Sequence, residues 1–286
     1  MKLIRTSMFA ALIGTILTVQ VQAAPISFTA AAANAAGIQT TVDGYRASLG
    51  ALNPNVAGSV GSGRREINWD GVPDALSAPN NLPGNFFNTN SPRGVVFSTP
   101  GTGFQVSANA GVGPVEFGNL NPTYPDIFNT FSAQRLFSAL GSNVVDVNFF
   151  VPGTATQAWV SGFGSVFTDV DLADTTSLQF FGLSNELLGT FFAPQLPGNR
   201  SFSFVGVRFD AGERIGRVRI TAGNAAFGPN ETGNLDLVAM DDFIFAEPVS
   251  AAVLPEPSSL SLLLLPLLSL ALTRRRAGCR TGRLAG

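Results

Sequence analysis

Short apolar runs in period-two alternation, recurring at roughly ten-residue intervals through the second half of the chain, constrain its fold more than any other feature. In "NVVDVNFFV", Val145, Val147, Phe149 and Val151 alternate with Asp146 and Asn148, which is the pattern of a half-buried strand. Strand-like runs follow at Gln157 to Ser161, Ser165 to Val170, Ser177 to Leu183, Glu186 to Phe192, Ser201 to Phe209, Arg214 to Thr221 and Leu235 to Phe245. Turn residues separate them. Two hairpins are expected, one turning at Leu183 to Glu186 and one at Asp210 to Glu213, where Gly212 can take a positive φ. In the last strand of the second hairpin Val218 and Ile220 face one way. Arg217 and Arg219 face the other, as a solvated guard on a sheet surface or edge.

Such spacing fits an all-β sandwich or barrel, and the expected architecture is a single β-sandwich of jelly-roll or galactose-binding-like type. One short N-terminal helix joins it, because Ile38, Val42, Tyr45 and Leu49 recur at helical spacing. Between Gly50 and Pro125 the chain is crowded with Gly, Pro and Asn, so long turns joining short strands are expected, with apolar pieces at Gly94 to Ser98 and Gly103 to Ala108. Among the aromatics 24 are Phe while Trp and Tyr supply two each, and a ring without a polar tip points to a dry core rather than a binding platform.

Charge and chemistry are unevenly placed. Residues 24 to 256 hold ten arginines, no lysine and all nineteen carboxylates, a formal charge of −9. An acidic, lysine-free body lacks the clustered cations that bind polyphosphate, so nucleic acid is excluded as a partner. The chain has no histidine, and its one cysteine, Cys279, lies in the extreme tail. Ser-His-Asp and Cys-His catalysis, His-ligated metals and intramolecular disulfides are thereby excluded.

Three acidic groups are candidate sites. Asp169, Asp171 and Asp174 in "FTDVDLADTT" place two carboxylates on one face of a strand end and a third in the turn beyond, a hard-oxygen set suited to Ca²⁺. The glycine and distal Glu of an EF-hand loop are missing, and turn or cap carboxylates are the plain alternative. Glu66, Trp69, Asp70 and Asp74 in "REINWDGVPD" suit a ligand contact such as a sugar site, a calcium loop or a glycosidase acid/base pair, or a turn in which Trp69 plugs the core. Asp241 and Asp242 are neighbours in a strand-like run, so one should face inward, with Arg208 or Arg135 as partner unless a β-bulge turns both outward.

The ends carry targeting signals. Residues 1–23 have a basic start, an apolar stretch and a small-residue finish at Ala23, the anatomy of a signal peptide cut by signal peptidase. At the other end Pro255-Glu256-Pro257 breaks the folded body, a leucine-rich run with an internal Pro266 follows, and Arg274-Arg275-Arg276 stops it. This order resembles the PEP-CTERM sorting signal of Gram-negative envelope proteins, and the "GSVFTDVD", "FSFVGVRF" and "AMDDFIF" stretches resemble the bodies of other such proteins. The resemblance implies cleavage near Pro-Glu-Pro by exosortase, a membrane protease, after transient inner-membrane anchoring through a hydrophobic helix. It also implies a destination in the cell envelope, at the outer surface or outside the cell, and a link to extracellular polysaccharide or biofilm. The expected organisation is signal peptide 1–23, β body 24–247, linker 248–254, sorting signal 255–276 and basic tail 277–286. A non-enzymatic structural or adhesive protein is the leading expectation. A carbohydrate-binding module, with or without Ca²⁺, is the alternative, and a carboxylate-based glycosidase or lyase stands behind both.

Overall fold

The computed structural model describes residues 24–252, so the signal-peptide and sorting residues Ala23, Pro255, Glu256, Pro257, Arg274, Arg275 and Arg276 lie outside the described residues. The body opens with β1 (Ile26–Ala32), α1 (Ala35–Leu49) and β2 (Arg64–Ile67). After α2 (Phe86–Thr89) come β3 (Val95–Ser98), β4 (Gly103–Val106), α3 (Tyr124–Ile127), β5 (Phe137–Leu140) and β6 (Val144–Phe149). The second half runs through β7 (Ala158–Trp159), β8 (Gly162–Thr168), β9 (Ser177–Gly182), β10 (Leu187–Phe192), β11 (Phe202–Arg208), β12 (Ile215–Thr221), β13 (Ala239–Ala246) and β14 (Val249–Ser250).

These strands form two main antiparallel sheets. The larger has the order β1-β11-β8-β13-β5-β4, with β2 also paired to β13, and the smaller has the order β10-β9-β12-β6-β3. The sheets share one apolar core, across which Phe149 of β6 meets Phe245 and Phe163 of the larger sheet at ring distances of 5.8 and 6.3 Å. At one end of that core Trp69 lies flat on Phe137, 4.1 Å away and 3° from parallel, with Phe243 and Phe87 edge-on to it. Apolar area removed from water supplies most of the folding free energy of such a body, and phenylalanine supplies much of that area.

The helix forms where the spacing places it, and Ile38, Val42, Tyr45 and Leu49 are all buried. Asn34 caps it by accepting a bond from the Gly37 N–H (3.1 Å), which satisfies an otherwise unpaired amide of the first turn. Its buried face lies on β1 and β11. Tyr45 sits over the cross-strand pair Gly164 and Gly206, where a Cβ would come within 3 Å of its ring, and its hydroxyl donates to Val207 O (3.2 Å). Covering this outer face is what makes β8, β11 and β13 buried along nearly their whole length.

Two expectations need correction and one is narrowed. The turn at Asp210 to Glu213 does not close a hairpin, because β11 belongs to the larger sheet and β12 to the smaller, so this connection crosses between sheets. The β9–β10 pair, by contrast, is a hairpin turning through Asn185 at a φ of 64°. Of the two places expected for Arg217 and Arg219, the structure gives the sheet surface and not the edge: β12 is the central strand of its sheet, and both partly exposed arginines bind Asp146 on the neighbouring β6 (2.6 and 2.8 Å). Finally, the folded body continues past residue 247, since β14 pairs with β7 where a linker was expected. Among the described residues no helix is long and apolar enough to cross a membrane.

A candidate acidic site

Strand β8 ends at Thr168, and the chain turns sharply through Asp169 at a φ of 72°, a backbone region that Asp tolerates better than most residues. The Asp169 N–H is held by Ser201 O (3.0 Å). Its carboxylate points inward, fully buried, and neither oxygen has a hydrogen-bond partner. The Arg200 amide, which donates to Ile127 O (2.7 Å), lowers its pKa and is the smallest of the influences on it. Burial first, then the charges of Glu231 and Asp171, push Asp169 up to about 9.

Asp171 and Glu231 complete the group, and one carboxylate oxygen from each of the three lies within 4.8 Å of the others. Asp171 is fixed from both sides: its N–H donates to Asp236 Oδ1 (2.9 Å), and its Oδ1 accepts from the Gly198 N–H (2.8 Å). Asp236 is itself buried and also accepts from Thr175 Oγ1, and burial raises its pKa. Glu231 arrives from the loop between β12 and β13, braced by the Leu237 N–H (3.3 Å). Its pKa is raised too, chiefly by burial. Asp174 is not one of the three; it is exposed in the turn that follows, at a φ of 61°.

The second expected group is dispersed into structural roles. Trp69 is buried in the aromatic core with its Nε1 donating to Asp241 O (2.8 Å), so its faces are covered by Phe137 and its neighbours rather than offered to a sugar. Asp70 accepts from the N–H groups of Gln134 (2.5 Å) and Arg135 (3.2 Å), and Asp74 pairs with the Arg135 guanidinium. Glu66 bridges Arg64 (2.7 Å) and Arg46 (3.1 Å). All four side chains hold local structure, and they do not converge on one cavity.

Asp241 and Asp242 lie at a β-bulge, where the pairing of β13 with β8 shifts between Met240 and Phe243. The extra residue breaks the alternation, and both carboxyl groups are buried, with Ser132 as a shared partner. Ser132 Oγ donates to both (3.2 and 2.7 Å), and the Phe131 N–H donates to Asp241 (2.6 Å). The cation is Arg46 of α1, 2.8 Å from Asp242, and neither Arg208 nor Arg135. Burial and the neighbouring Asp242 raise Asp241 well above the usual carboxylate range; burial also raises Asp242, against the pull of Ser132 and Arg46.

A separate cleft of about 440 Å³ opens where β7 and β14 meet the β11–β12 connection, lined in part by Trp159, Arg208, Asp210, Ser48 and Ser62. The Arg214 guanidinium lies 5.2 Å over the Trp159 ring. Comparison with protein-family models, with curated proteins and with solved structures finds no match to this chain.

Proposed function

We propose that this chain is an exported, non-enzymatic component of the cell envelope or extracellular matrix, sorted by exosortase and associated with exopolysaccharide. The observation that carries the reading is the ordered pair of ends: the signal-peptide anatomy before Ala23, then Pro255-Glu256-Pro257, the leucine run and Arg274-Arg275-Arg276. The β body, of jelly-roll or galactose-binding-like sandwich type, is the part that would be delivered. A structural role is supported by Glu66, Asp70, Asp74 and Asp242, which are held in ion pairs or backbone contacts instead of facing one another across a cleft as a catalytic acid pair would. Intact mass of the protein isolated from its own host tests the reading. Loss of residues 1–23 together with everything beyond the Pro-Glu-Pro region is expected, and a mass that retains Leu260 to Arg276 rejects sorting in favour of a plain membrane anchor.

A second reading, a carbohydrate-binding module, is favoured by the Trp159 cleft, which combines an aromatic ring with Arg208 and Asp210. Aromatic stacking flanked by polar hydrogen-bonding groups is the usual means of holding a sugar ring. Retention of the purified protein on the host polysaccharide, lost in Trp159→Ala, supports this reading. Equal retention of wild type and variant excludes the cleft.

A further inference from the structure

We propose that Asp169, Asp171 and Glu231 bind a divalent cation, Ca²⁺ by the chemistry of their donors, and that the ion fastens the loop before β13 to the end of β8. An acidic cluster alone would not carry this, since carboxylates often gather at turns. The decisive second observation is that Asp169 is fully buried with both oxygens unpartnered, turned toward two further carboxylates. A buried carboxylate is costly unless a cation or hydrogen bonds compensate it, and no arginine is paired with Asp169. Glu231 can bond to it only through a shared proton, because both groups are acceptors when ionised.

The donor set selects the ion. Three carboxylates without nitrogen or sulfur suit a hard cation, and Ca²⁺ takes irregular shells of oxygens at about 2.3–2.6 Å, so ligand atoms up to about 5 Å apart share one ion. The three oxygens here fall within 4.8 Å of one another. Mg²⁺, with ligands at about 2.0–2.1 Å in a strict octahedron, would require the cluster to contract. Nearby groups hold the ligands without occupying the gap: Asp236 and Gly198 fix Asp171, and Leu237 braces Glu231. Glu231 stands in "GPNETGN", a turn-rich stretch lying between the β12 and β13 strands. An ion at this point would tie that stretch to the Asp169–Thr175 turn, joining segments some sixty residues apart. The inference is independent of the sorting reading, and either can fail alone.

Titration of the chelator-treated, full-length protein with CaCl₂ tests it. One site per chain is expected, with Kd of about 10⁻⁴–10⁻³ M, the range of extracellular calcium modules. The melting temperature should rise with Ca²⁺ and respond less to Mg²⁺. Asp169→Asn and Glu231→Gln should each weaken binding at least about tenfold, since each removes one of three charged ligands. Without Ca²⁺, Asp169→Asn should melt no lower than wild type, because it removes an unpaired buried carboxyl; this separates loss of the site from loss of the fold. Absence of both heat and a melting shift in folded wild type at about 10 mM Ca²⁺ overturns the proposal. Undiminished binding in both variants overturns it equally, by placing the ion elsewhere.

Discussion

Replacing Trp69 with alanine should cost this body a large part of its stability while leaving any glycan retention that survives folding unchanged. The indole is 1% exposed, stacked on Phe137 at 4.1 Å and bonded through Nε1 to Asp241 O at 2.8 Å. Truncation removes the transfer free energy of an aromatic side chain and leaves a cavity, about 3–5 kcal/mol, and it strips a donor from a buried carbonyl at the bulge. Domains are stable by only about 5–15 kcal/mol, so the loss is severe without abolishing folding in cool buffer. Trp69→Phe keeps a ring against Phe137 and loses the Nε1 donor, for about 1–2 kcal/mol. Urea unfolding followed by circular dichroism measures both, and the alanine variant should shift the midpoint down by about 1–2 M. Trp159 remains as the only indole in either variant, an internal fluorescent report on strand β7. A loss under about 1 kcal/mol in Trp69→Ala would refute the assignment of Trp69 to the core and return it to the surface as a ligand contact.

Two further outcomes follow from buried charge. Arg65 is fully buried, makes a fork to Glu247 (2.7 and 2.9 Å) and donates to the carbonyls of Pro54, Val56, Gly58 and Pro92, so it pins the loop between α1 and β2. Arg65→Met should destabilise by about 3–5 kcal/mol through the stranded Glu247 charge, and limited proteolysis should cut first between residues 53 and 63. Asp241 has a folded pKa raised by burial and by Asp242, so the folded state holds its proton more tightly than the unfolded chain. That contribution is fully present below the ordinary carboxylate range and is lost as pH rises toward the raised value. Asp241→Asn, whose amide can donate to Asp242 while its oxygen accepts from Phe131, should therefore gain on wild type between about pH 5 and pH 8 in urea midpoints. A difference that shrinks over that interval would contradict the raised pKa.

Local periodicity made part of this fold legible. The helix and strands β6, β9 and β12 declare themselves because one face is buried and the other is not, which is what alternation records. Strands β8, β11 and β13 are buried on both faces, so their runs carry no alternation, and β8 begins three residues before the position expected from the sequence. Sheet membership left no local trace: the Asp210–Glu213 turn has hairpin chemistry whether the chain returns to its own sheet or crosses to the other. At the acidic site Asp169 and Asp171 announce themselves by adjacency. Glu231 joins them from sixty residues away, and its one sequence cue is a lone carboxylate among Pro, Asn and Gly in "GPNETGN". Arg46 was hidden for a similar reason, since the polar side of a helix looks the same over a buried carboxylate as over water.

Amide hydrogen exchange of the full-length protein, with and without Ca²⁺, tests most directly whether Asp169, Asp171 and Glu231 share an ion. Slower exchange is expected in two segments, 169–176 and 228–237, and little change in the aromatic core around Trp69. Unchanged exchange in both segments under saturating Ca²⁺, or protection confined to some other part of the body, would contradict a cation bridge between β8 and the loop that leads into β13.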